Sequence, residues 1–130
     1  MRLLLDTHFL SWLVLAPKKI HRREMALMAR SELIVSAASI LELRIKREKF
    51  ALSRHRLKDL LDPAEALDYI RGYGLELVPL TGDVCAAALD TPMRHSDPFD
   101  ELLLIHAQCL GVKLLTRDEK LIDHPLAIAA

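Results

Sequence analysis

Residues 2–16, RLLLDTHFLSWLVLA, hold a short apolar run, an aspartate, and a longer apolar segment that stops before Pro17. The first run is too short for a helix and has no polar face, which fits a strand covered on both sides. The second reads as a helix that the proline terminates. The change of element at Asp6 places a carboxylate on the end of a buried strand.

The rest of the chain repeats this alternation. A second helix is predicted over 21–31 and a second strand over 32–37, ELIVSA. A third helix, SILELRIKREKF, follows over 39–50, and 51–62 reads as a mixed-charge connector. PAEALDYIRGYG has Pro63 in its first turn and glycine past its end, so it reads as a helix. LELVPL, 75–80, is a strand that Pro79 assigns to an edge. GDVCAAAL is a helix entered from Thr81, and PFDELLLIHAQCLG is a helix stopped by Gly111. VKLLT, 112–116, is a fourth strand and PLAIA, 125–129, a fifth. Strands alternating with helices imply right-handed crossovers, hence a three-layer α/β/α sandwich around a mainly parallel sheet of four to five strands. Residues 1–130 read as one domain, without repeats or a linker. Ligands in such folds gather outside the carboxyl ends of the strands.

Composition limits the classes of function. The chain is 52% hydrophobic and 28% charged, which is globular, and its 5% aromatic content offers no stacking platform for single-stranded bases. Lys+Arg and Asp+Glu balance at 18 each. Their distribution does not: residues 44–58 hold seven Lys/Arg against Glu48 alone, whereas 59–101 hold ten Asp/Glu against Arg71 and Arg94. No apolar run approaches the ~18 residues of a membrane span, and MRLLLD meets a charge too early for a secretory leader. Cys85 and Cys109 lie alone in apolar surroundings, which reads as buried reduced thiols in the cytoplasm.

Four acids fall at the edge where ligands gather: Asp6 after the first strand, Glu42 in the third helix, Asp100 in the first turn of the last helix, and Asp118 in LLTRDEKL. Each has an ordinary structural use. Asp6 can cap the helix beginning at Thr7. Ser39 and Glu42 fit a capping box, and Glu42 pairs with Lys46 at i,i+4. Asp118 suits the first turn of a short helix capped by Thr116. In SDPFDE, Asp97 caps with Pro98 at the first helical position, and that leaves Asp100 without a capping job. Converging carboxylates raise one another's pKa and cost several kcal/mol unless something neutralises them. A divalent ion does so, and an all-oxygen set favours Mg2+, with Mn2+ the alternative, over zinc. Such a site suits phosphodiester hydrolysis, and the basic run after Glu42, beginning with Lys46 and Arg47, would hold a polyanion across it.

LLLDTH, VSAASILELRIKREKF, HSDPFDELLLIHA and LLTRDEKL, in this order, resemble PIN-domain proteins, specifically VapC-type toxins. The resemblance covers the whole chain. It implies a magnesium-dependent endoribonuclease of a type II toxin–antitoxin system, an RNA substrate and a cognate VapB-type antitoxin. It also implies that the four acids are Asp6, Glu42, Asp100 and Asp118, with Thr116 supporting the cluster and Asp97 beside it. Relatives continue DPFDR where this chain has Glu101, which is expected to face solvent.

Among the remaining polar residues, His8 reads as packed or supporting and His95 as a loop residue within reach of a phosphate. His106 reads as a satisfied buried histidine, and Trp12 as core or dimer interface. Apolar segments 9–15 and 83–89 make a homodimer the expected assembly. A non-catalytic module binding RNA or protein through the same pocket is the competing class. A haloacid-dehalogenase-like phosphatase would need an acid where His8 stands, and a phospho-receiver would need an Asp after the third strand, where Thr81 stands.

Overall fold

The computed structural model describes residues 1–51 and 60–130. Five parallel strands form one sheet in the order β3-β2-β1-β4-β5: β1 Arg2–Leu5, β2 Glu32–Ser36, β3 Glu76–Val78, β4 Lys113–Leu115 and β5 Ala127–Ile128. The helices are α1 Thr7–Leu15, α2 Arg22–Ala29, α3 Ala37–Ala51, α4 Pro63–Tyr73, α5 Gly82–Ala86 and α6 Pro98–Leu110. A 3-10 turn, Pro17–Lys19, joins α1 to α2.

The alternation of side chains along the strands divides the core in two. Leu3, Leu5, Val35 and Leu115 face Phe9 and Leu10 of α1, Leu27 and Met28 of α2, and Ala66 and Ile70 of α4. Leu4, Ile34 and Leu114 face Leu103, Leu104 and Ala107 of α6. Burying β1 between these two layers explains why its sequence is leucine without a break. The expected three-layer sandwich and parallel sheet are therefore present, and β3 lies at an edge as Pro79 requires.

Local chemistry sets where the helices begin and end. Asp6 caps α1 by accepting the backbone N–H of His8, and Ala16, out of the helical region at φ −151° and ψ 62° ahead of Pro17, ends it. Asp62 caps α4 ahead of Pro63. Asp97 caps α6 by accepting the N–H groups of Phe99 and Asp100 through one oxygen, Oδ1. Gly111 closes α6 at φ 69°, a left-handed position that favours glycine.

Four expectations are corrected. The capping hydroxyl of α3 is Ser36, which accepts the Ala38 N–H at 3.0 Å, so α3 starts two residues before Ser39. Ser39 is instead fully buried within the first turn. Helix α5 ends at Ala86, because Ala87 is already extended. Cys85 and Cys109 are exposed rather than buried. Asp118 stands in a loop before a series of tight turns, not in a helix. Residues 52–59, two thirds of the connector and including about half of the basic run, lie outside the described residues. Among the described residues no helix is long and apolar enough to cross a membrane.

His106 is buried at 1% exposure on α6, with Nδ1 2.7 Å from the Ser36 hydroxyl. That hydroxyl also accepts the Ala38 N–H, so the His106 ring is tied to the start of α3. Burial holds His106 below its ordinary value of 6.5. Between that lowered value and 6.5 the unfolded chain binds a proton that the folded chain does not, so stability falls as pH drops through this window. Urea midpoints measured from about pH 7.5 to about pH 5.5 should fall more steeply for the wild type than for His106→Asn. Equal slopes would contradict the assignment.

Candidate functional site

The strand order places β2 and β3 on one side of β1, and β4 and β5 on the other. Chain direction across the sheet thus reverses between β1 and β4, and a crevice opens at their carboxyl ends. Asp6 occupies that point. Its backbone N–H donates to the Leu115 carbonyl at 3.0 Å, so the last rung of the sheet fixes its Cα. Its carboxylate is buried at 4% exposure, accepting from the Thr116 hydroxyl at 2.6 Å on Oδ2 and from the His8 backbone N–H at 3.2 Å on Oδ1. The His8 ring lies 3.5 Å from the same Oδ1. Burial alone would raise the Asp6 pKa, but the His8 and Thr116 hydrogen bonds and the charge of His8 outweigh it, and the carboxylate stays below its usual range.

Glu42 is tied to the same place through the residue after Asp6. The Thr7 hydroxyl donates to Glu42 Oε1 at 2.7 Å, and Ser39 lies 2.8 Å from Thr7. With the Thr7 proton committed to a carboxylate, Ser39 is the donor of the second bond. Lys46 contacts the other Glu42 oxygen at 2.7 Å, the ion pair expected from the i,i+4 spacing. Both Glu42 oxygens are therefore engaged. Arg47 donates to the Leu60 carbonyl at 3.1 Å.

Asp100 enters from α6. His95 Nε2 lies 2.9 Å from Asp100 Oδ2, so this loop histidine is drawn against the acid, and its Nδ1 is the one buried polar side-chain atom without a partner among the described residues. Burial pushes the Asp100 pKa upward. The His95 hydrogen bond opposes this, while the charges of Asp97, Asp6 and Asp118 reinforce it. Asp118 is half-buried at the mouth of the crevice, where its N–H donates to Thr116 Oγ1 at 3.1 Å and its Oδ1 accepts from Lys120 at 2.9 Å. Asp6, His8, Phe9, Trp12, Arg117 and Asp118 line a depression of about 210 Å³.

Of the expected site residues, the structure gathers Asp6, Asp100 and Asp118 within electrostatic reach, with Thr116 on Asp6 and Asp97 beside Asp100. Glu42 adjoins them through Thr7, but its charge is met by Lys46. Glu101 is exposed, as expected. Among the described residues no three His, Cys, Asp or Glu side chains form a ready metal cage. An all-carboxylate set that couples without converging suits Mg2+, which keeps several waters and takes only one or two carboxylates directly. The residues fit such an ion on that basis.

Several contacts were not foreseen. Thr7 and Ser39 carry no charge, yet together they tie the start of α1 to Glu42. Glu24 and Arg117 form a shielded ion pair beneath the Asp118 loop. The only signal for Arg117 was its place between Thr116 and Asp118.

The fold and site define a parallel α/β domain with acidic side chains gathered at its switch point. A family model for the PIN domain matches residues 3–125, and the chain belongs to that family. Its fold is shared with a chain of VapBC2 from Rickettsia felis, solved bound to a DNA fragment from its promoter: TM-score 0.63, 16% identity, 100% of this chain and 98% of that one. A chain of VapBC-1 from nontypeable Haemophilus influenzae gives TM-score 0.56 at 17% identity, covering 100% and 97%. No curated protein matches the sequence.

Thr116→Val deletes the hydroxyl that donates to a buried carboxylate and should destabilise the fold by about 1.5–3 kcal/mol at neutral pH. Denaturant unfolding checks this, and an unchanged midpoint would show that Asp6 is satisfied without Thr116.

Proposed function

We propose that this chain is a divalent-metal-dependent endoribonuclease of the VapC toxin type, using Mg2+ or Mn2+ at Asp6, Asp100 and Asp118. The observation that carries this reading is the placement of Asp6 and Asp118 on one depression at the carboxyl ends of β1 and β4, with Asp6 buried and accepting from Thr116. Asp100 lies within electrostatic reach of both, and a hydrated dication would offset the repulsion among the three. Family membership supports the nuclease assignment, and the VapBC neighbours support a VapB-type antitoxin as partner. Leu15, 40% exposed at the end of α1, fits a homodimer formed through that helix.

In this reading Asp6, Asp100 and Asp118 would hold the ion. When bound, the ion acidifies a water and neutralises charge on the scissile phosphate. The chain supplies position: Thr116 and the His8 N–H orient Asp6, and His95 orients Asp100. Glu42, fixed by Thr7, adjoins Asp6 along the chain, and releasing Lys46 toward a phosphate would free its outer oxygen to join the site. Lys46 thus couples substrate arrival to completion of the acidic set. Arg47, bonded to Leu60, has a weaker claim on substrate.

Asp6→Asn and Asp100→Asn should each lower RNA cleavage by on the order of 10²-fold or more, with near-native circular dichroism, and EDTA should abolish cleavage reversibly. Undiminished cleavage in EDTA would exclude the metal. A folded wild type that binds RNA and never cuts it would favour the non-catalytic module.

A further inference from the structure

Arg117 is built into the protein more firmly than a surface cation. Its Nε donates to Glu24 Oε2 at 3.0 Å, and its Nη2 donates to Glu24 Oε1 and, at 2.8 Å, to the Lys19 carbonyl. The guanidinium lies 4.2 Å from the Trp12 ring centroid and 5.6 Å from that of Phe9. Glu24 is itself fixed, being buried and accepting the His21 N–H at 2.8 Å to close the first turn of α2. Only a planar fork satisfies the carboxylate, the carbonyl and the ring at once.

The neighbours of Arg117 are tied to Asp6. Thr116 donates to Asp6, and Asp118 returns its N–H to Thr116. Strand β4 ends at Leu115, and Thr116 makes the last backbone bond to β5, its N–H meeting the Ile128 carbonyl at 3.1 Å. Beyond it, side chains take over the work of the sheet.

We propose that Arg117 is a positioning residue: clamped by Glu24 and stacked on Trp12, it fixes the segment that carries Asp118 and so sets how that acid serves the metal. This rests on the metal-site reading above. The Nε and Nη2 protons and one face of the guanidinium are committed to Glu24, the Lys19 carbonyl and Trp12, which is what holds the segment in place.

The test is a coupling measurement with Mn2+ alone, read by calorimetric titration of the folded chain. The substitutions are Asp118→Asn, the pair Glu24→Gln with Arg117→Met, and all three together. The pair removes both charges, so no unpaired carboxylate stays buried; Arg117→Lys is the second route should the pair fail to fold. Asp118→Asn in the wild type should weaken Mn2+ binding by about tenfold. The pair, or Arg117→Lys, should weaken it similarly, and Asp118→Asn added to either should cost little more. Asp118→Asn costing as much in those backgrounds as in the wild type would overturn the proposal, as would wild-type affinity in the pair. Wild-type affinity in Asp118→Asn alone also overturns it, and Asp6→Asn separates the two levels. If Asp6→Asn loses Mn2+ while Asp118→Asn does not, only the role of Arg117 fails. If Asp6→Asn keeps Mn2+, the metal-site reading itself fails.

Discussion

The hydrogen bond from Thr116 to Asp6 joins the ends of the two central strands at the point where the sheet changes direction. Much else follows from it. A carboxylate buried at 4% exposure is costly to leave unsatisfied. Three features offset that cost: the Thr116 hydroxyl, the backbone N–H of His8 at the start of α1, and the nearby His8 ring. The first depends on the register of β1 against β4, which the Leu3–Lys113, Leu4–Leu114 and Leu5–Leu115 pairs set, while the two from His8 are local to the start of α1. Displacing that register by one residue would exchange the two apolar faces of the sheet as well as the site. The acid and the core are thus specified by the same alignment.

Two helix entrances serve the site differently. At α1 a single residue does both jobs, with one oxygen of Asp6 capping the helix and the other meeting Thr116. At α6 the jobs are divided. Asp97 caps through Oδ1, and Asp100, one turn in, meets His95 and feels the charges of Asp6 and Asp118. The division explains why SDPFDE carries two acids where capping needs one. It also leaves His95 as the one side chain hydrogen-bonded to the Asp100 carboxylate among the described residues.

The sequence made legible whatever local chemistry decides. Unbroken leucines marked β1 as covered on both faces, Pro79 put β3 at the edge, and Asp97-Pro98 with Gly111 bounded α6. The i,i+4 pair of Glu42 and Lys46 was also local and correct. What stayed hidden requires tertiary proximity. Arg117 and Glu24 are 93 residues apart, and Thr7 and Ser39 are 32 apart. Ser39 and Ser36 both precede plausible helix starts, and only burial of Ser39 against Thr7 decides between them. The cysteines misled because apolar neighbours in sequence do not fix which face of a helix is covered.

The account stands on a dication seated between the strand ends. Anomalous diffraction from a crystal soaked in Mn2+ locates such an ion directly. The expected result is one peak within about 2.0–2.3 Å of a carboxylate oxygen of Asp6 or Asp100, with the other acids reaching it directly or through water. A map in which Mn2+ binds only elsewhere, with Asp6 still held by Thr116 and the crevice without a peak, would contradict it.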